Sequence, residues 1–99
     1  MNISEFDYEL PEELTLENAI NTLQELAQKG YFSMPEYYMP EDQVYDNDGN
    51  SRWQCTCYIR SYSLEETAYA TSKKVAKKYA AYLCICNICG LKDQYADED

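Results

Sequence analysis

With 99 residues and 11.6 kDa, the chain has the length of one small domain and buries only about 60–68% of the surface its unfolded form exposes. That is enough for one core and leaves little room for an enclosed substrate cavity. Acidic residues outnumber basic ones 18 to 8, for a formal charge of −10, the reverse of what a sequence-blind nucleic-acid binder usually carries. Histidine is absent, which removes the commonest general base and metal ligand together with every Ser/His or Cys/His nucleophile pair. Any acid–base catalysis would have to rest on carboxylates, and no enzyme activity is expected.

In chain order, residues 1–15 form an acidic arm. Thr15 is positioned as a helix N-cap, and Leu16, Ala19, Ile20, Leu23, Leu26 and Ala27 recur at three- and four-residue spacing until Gly30 supplies the stop. The outer face of that helix carries Asn21, Gln24, Glu25 and Gln28. Pro35 to Met39 reads as a short strand ended by Pro40, and Asp46-Asn47-Asp48-Gly49-Asn50 is a dense turn signal. From Arg52 to Arg60, Trp53, Cys55, Cys57 and Ile59 alternate with polar residues, the period of a strand with one buried face. Ser61-Tyr62-Ser63 reads as the next turn and Glu66 to Ala70 as a third strand. Thr71 or Ser72 then caps a long helix from Lys73, with Ala76, Tyr79, Ala80, Leu83 and Asn87 on one side and Gly90 and Lys92 as its end. The domain is assigned to 16–91, with an acidic tail over 92–99. The fold class is α+β, in the order α-β-β-β-α, with two helices packed on one face of a three-stranded antiparallel sheet.

The charge is polarised. Fifteen of the 18 acids lie in residues 1–17, the stretch from Glu36 to Asp48 and the tail, whereas Lys73, Lys74, Lys77, Lys78 and Lys92 fall in a segment from Ala68 to Lys92 without a single acid. A surface potential follows local charge, so an anion can still find one favourable face. Lys73, Lys74 and Lys77 occupy the first turn and a half of a helix, where free backbone N–H groups and the macrodipole already attract anions. Lysines in that position oppose the dipole, and an arriving phosphate would neutralise both. The alternative is a solvated face that improves solubility.

Several segments in order carry a family likeness: Leu23-Gln-Glu-Leu-Ala-Gln-Lys-Gly30, Met34-Pro-Glu-Tyr37, the Trp53 strand, and Ala68-Tyr-Ala-Thr-Ser-Lys-Lys-Val-Ala-Lys-Lys-Tyr-Ala-Ala81. Together they resemble the double-stranded RNA-binding domain from Asn18 to about Leu83. The resemblance implies non-catalytic recognition of A-form RNA by shape, with Lys73, Lys74 and Lys77 bridging phosphates across a major groove. It implies that Asn21, Gln24 and Glu25 face one minor groove and that the loop bearing Asn50 and Arg52 faces the next. The match departs from the family at that loop, Asp46-Asn-Asp-Gly-Asn-Ser-Arg52, which has two acids and no histidine where the family usually presents Gly-Pro-x-His. Ala68 and Ala70 also stand where glycines are common.

Five cysteines are an odd number, and no basic and apolar leader stands near the start, so a reducing, cytoplasmic setting and a soluble protein are expected. Cys84, Cys86 and Cys89 are spaced around different sides of a helix, unlike paired zinc knuckles, and read as buried thiols, with neither metal nor cofactor. From Tyr79 to Cys89 the helix is apolar nearly all the way round, so its far end needs a cover. Candidates are Ile3, Phe6, Tyr8 and Leu10 of the arm, a second copy of the chain, or another protein. A rival to RNA binding is therefore an acidic interaction module or inhibitor that keeps the fold and binds a nucleic-acid-processing protein.

Overall fold

The computed structural model describes residues 13–90; most of the acidic arm and everything from Leu91 onward, including Lys92 and the acidic tail, lie outside the described residues. Helix α1 (Leu16–Gln28) is followed by strands β1 (Glu36–Tyr38), β2 (Val44–Tyr45), β3 (Ser51–Ile59) and β4 (Leu64–Ala70), and by helix α2 (Lys73–Cys89).

The ends of α1 follow from its terminal residues. Thr15 is extended, its hydroxyl accepts from the Asn18 N–H at 3.3 Å, and the Asn18 carbonyl Oδ1 accepts from the Thr15 N–H at 2.9 Å. This is a capping box closed by asparagine instead of the usual Glu or Gln. At the other end the Gly30 N–H donates to the Ala27 carbonyl and the Tyr31 N–H to that of Leu26. That double closure requires a left-handed residue, which Gly30 supplies with φ +94°. Ala19, Leu23, Leu26 and Ala27 are buried as the spacing predicts, and Leu14, ahead of the cap, joins them in the core.

Strand β3 is the centre of the sheet. It pairs antiparallel with β4 from Trp53↔Ala70 to Ile59↔Leu64, and with β1 from Tyr38↔Thr56 to Glu36↔Tyr58. β2 then continues the pairing at Val44↔Arg52 and Tyr45↔Ser51. Between these two ladders residues 39–43 face only residues 53–55, so the partner strand carries a two-residue bulge. Pro40, which has no N–H to give a ladder, sits in that bulge. It interrupts the first strand, as expected from the sequence, but the strand resumes beyond it.

The second hairpin is tighter than the turn signal suggests. A short 3-10 turn spans Arg60–Tyr62 and Ser63 takes φ +52°, so β4 begins at Leu64 and not at Glu66. A left-handed residue reverses the chain at once and lets Ile59 meet Leu64 directly.

Trp53, Cys55, Cys57 and Ile59 of β3, Ala68 and Leu64 of β4 and Tyr37 of β1 all line the core, and α2 lies across β3 and β4 with α1 packed against it. Ala76, Ala80 and Ala81 are fully buried, which lets α2 approach the strands closely. The buried set on α2 goes further than the stripe read from the sequence: Tyr82, Cys84, Ile85, Cys86 and Cys89 are buried too. Asn87, expected on the inner side, is exposed and donates to the Glu66 carboxylate at 2.7 Å. A segment apolar on every side gives no periodic signal from which to orient its one polar residue. Of the apolar residues from Tyr79 to Cys89, Tyr79, Leu83 and Ile88 are partly exposed and the rest are buried; Ile3, Phe6, Tyr8 and Leu10, named as candidates to cover this end, lie outside the described residues. No helix among the described residues is long and apolar enough to cross a membrane.

Candidate nucleic-acid interface

Arg52, Arg60 and the four lysines at the start of α2 divide into two groups by what they touch. Arg52 pairs with Asp46 at 3.3 Å, Arg60 with Glu36 at 3.0 Å and Lys78 with Glu17 at 2.6 Å. Lys73, Lys74 and Lys77 pair with no carboxylate among the described residues. They stand at the amino end of α2, which Ser72 opens by accepting the Val75 N–H at 3.1 Å, and no acidic residue lies in that first turn. Lys73 and Lys77, one helical turn apart, share a face. Their amines rest over aromatic rings, Lys73 Nζ 4.7 Å from the centre of the Trp53 ring and Lys77 Nζ 4.7 Å from that of Tyr37. Lys74 is exposed.

The helix start therefore presents three ammonium groups and free backbone N–H groups together, the arrangement that favours a phosphate. Lys78, the remaining lysine of the run, is turned toward α1, where Glu17 holds it.

On α1, Asn21, Gln24 and Glu25 are exposed on the side away from the core, as the periodicity predicts. The loop after β2 is built around Asp46, whose carboxylate Oδ1 accepts from the N–H groups of Asp48 and Asn50, each at 2.9 Å. Gly49, at φ +83°, completes the turn. These backbone donors, first that of Asn50, hold the Asp46 carboxyl below its ordinary range, and Arg52 acts in the same direction. Arg52 is thus engaged inside the loop, while Asn50 is exposed at its tip. One of the two acids that set this loop apart from the family pattern is committed to internal bonds.

Sequence reasoning missed the contacts that Trp53, assigned by the strand pattern to the buried face, and Tyr37 make with these lysines. The available signal was register: Trp53 stands opposite Ala70, three residues before Lys73, so closing the hairpin brings its ring to the start of α2. The five cysteines are all buried and free. Burial raises the Cys55 thiol to about 11, with Cys57 adding to the effect, and the contact of Cys84 with Cys57, reinforced by burial, pushes Cys84 higher still. Such thiols are protonated at neutral pH and act as small apolar core groups.

An α-β-β-β-α domain whose last helix opens on a cluster of lysines is the architecture of a class of nucleic-acid-binding module. The model of the double-stranded RNA binding motif matches residues 19–88. Ribonuclease 3 of Roseburia hominis is 43% identical over 65 residues, which are 66% of this chain but only 18% of that protein. The chain belongs to the double-stranded RNA binding motif family.

Proposed function

We propose that the chain binds double-stranded RNA by shape and phosphate contacts and does no chemistry on it. The single observation that carries this reading is that Lys73, Lys74 and Lys77 stand at a helix start without a carboxylate partner among the described residues, while Arg52, Arg60 and Lys78 are each matched to an acid. On this reading the trio bridges phosphates across a major groove. Asn21, Gln24 and Glu25 enter one flanking minor groove, Glu25 accepting from a 2′-hydroxyl or a guanine amino group, and Asn50 with Arg52 enters the other. Five free thiols support a reducing, cytoplasmic setting.

The test is a mobility shift with a duplex of about 20 base pairs at low and moderate salt, long enough for the roughly 16 base pairs such domains span. The wild type is expected to shift the duplex and the Lys73→Ala, Lys77→Ala double variant to fail. A wild type that binds no duplex even at low salt would refute the proposal and favour the alternative, an acidic interaction module for a nucleic-acid-processing protein.

A further inference from the structure

Resting on the RNA-binding reading, we infer that Trp53 and Tyr37 are positioning residues, aromatic rests that hold the amines of Lys73 and Lys77 ready for phosphate. The two rings come from different strands, β3 and β1, and both face α2. Each lies 4.7 Å from an ammonium nitrogen, within the roughly 6 Å over which the negative face of a ring attracts a cation.

A lysine side chain is a flexible stem, and fixing its head on RNA normally loses rotamer freedom at the moment of binding. A ring beneath the amine removes much of that loss beforehand. A carboxylate would do the same but would cancel the charge, as Glu17 does for Lys78; a ring leaves the positive charge intact. The pairing is also selective, since the rings serve two lysines that share one face of α2 and Lys74 has none.

The experiment compares wild type with Trp53→Leu, Trp53→Phe, Tyr37→Leu and Tyr37→Phe. Three quantities are read: affinity for a 20-base-pair RNA duplex, its salt dependence, and the ε-methylene proton shifts of Lys73 and Lys77 in the free protein. In the wild type those protons should lie upfield, in the ring current, and each Leu variant should return its own lysine to an ordinary shift. Each Leu variant should bind duplex about two- to fivefold more weakly, with both Phe variants closer to wild type. The salt slope should stay unchanged, because the number of phosphates contacted is unchanged, and a merely structural role would not separate affinity from slope in this way. The Tyr37 pair keeps the comparison valid if Trp53→Leu fails to fold. Leu variants that bind as well as wild type, or better because the ring competes with phosphate, overturn the inference while leaving RNA binding intact. Absence of the upfield shifts also overturns it. A wild type that binds no duplex removes the RNA reading and this inference with it, even if the shifts show the rings in place.

Discussion

Replacing Lys73 and Lys77 together by alanine should change how RNA affinity responds to salt, and the size of the change follows from counting phosphates. If each of the three unpaired lysines neutralises one phosphate, log affinity falls with log salt at about 0.9 per contact, a slope of about −2.7. Raising salt from about 50 to about 200 mM then weakens the wild type roughly 40-fold. The double variant retains one contact, a slope of about −0.9 and a loss of only about 3.5-fold over the same range. Lys78→Ala is the internal control: Lys78 already spends its charge on Glu17, and its slope should stay near the wild-type value. Fluorescence anisotropy of a labelled duplex, titrated at four salt concentrations, measures all three slopes. A double variant that keeps the full slope, or a Lys78→Ala variant that loses as much, would show that the cation trio is not where the backbone is held.

Glu17→Gln should free Lys78 as a fourth cation beside the trio, strengthening duplex binding and steepening the slope by up to about 0.9, and the same anisotropy titration would show no change if Lys78 is out of reach. Among the described residues the buried Tyr37 hydroxyl has no oxygen or nitrogen partner, only the weakly bonding Cys57 thiol beside it, so Tyr37→Phe should raise stability to urea by up to about 1 kcal/mol, and a lowered midpoint would count against a poorly satisfied group there. Cys55 has a folded-state value of about 11 against 9.0 for an ordinary thiol, so the unfolded chain gives up that proton first. Stability should therefore be full below about pH 9 and decline as pH rises toward 11, which a series of thermal melts would detect. Thr15→Ala removes the hydroxyl half of the α1 capping box and should cost about 1 kcal/mol in the same denaturation assay, whereas an unchanged midpoint would mean that the cap adds nothing.

Where a residue's position is set by its neighbours in sequence, the chain could be read directly. Thr15, Gly30 and Ser72 are local stops and starts, and the alternation from Trp53 to Ile59 needs nothing but a sheet with one buried face. The lysine trio was legible for the same reason, since helix spacing alone brings Lys73 and Lys77 to one face. What the sequence withheld depends on pairing between distant segments. The bulge around Pro40 exists because β1 and β2 both meet β3 at offset registers, and no window of sequence contains both partners. The rings under Lys73 and Lys77 and the clasp between Lys78 and Glu17 join residues from 20 to 61 positions away in the chain. Asn87 was misplaced because its apolar surroundings carry no period.

A net charge of −10 and a grip on a polyanion are compatible because the cations are sorted. Exposed ion pairs such as Arg60 with Glu36 contribute little stability, at most about 1 kcal/mol. Their position matters more: Glu17, Glu36 and Asp46 are each bound to a base outside the trio, so three carboxylates of the domain are locally neutralised without drawing on Lys73, Lys74 or Lys77. Two of the trio, Lys73 and Lys77, rest over neutral rings instead, which leave their charge undiminished. Acids farther away act only through solvent, and at physiological salt their repulsion fades over about 8 Å. It therefore falls mainly on the approach of RNA at low salt, slowing association, while the contact once made is governed by the charges within reach of the phosphates. On the proposed reading, total charge and local charge thus act on different quantities, the rate of encounter and the strength of the grip, and only the second is set at the start of α2.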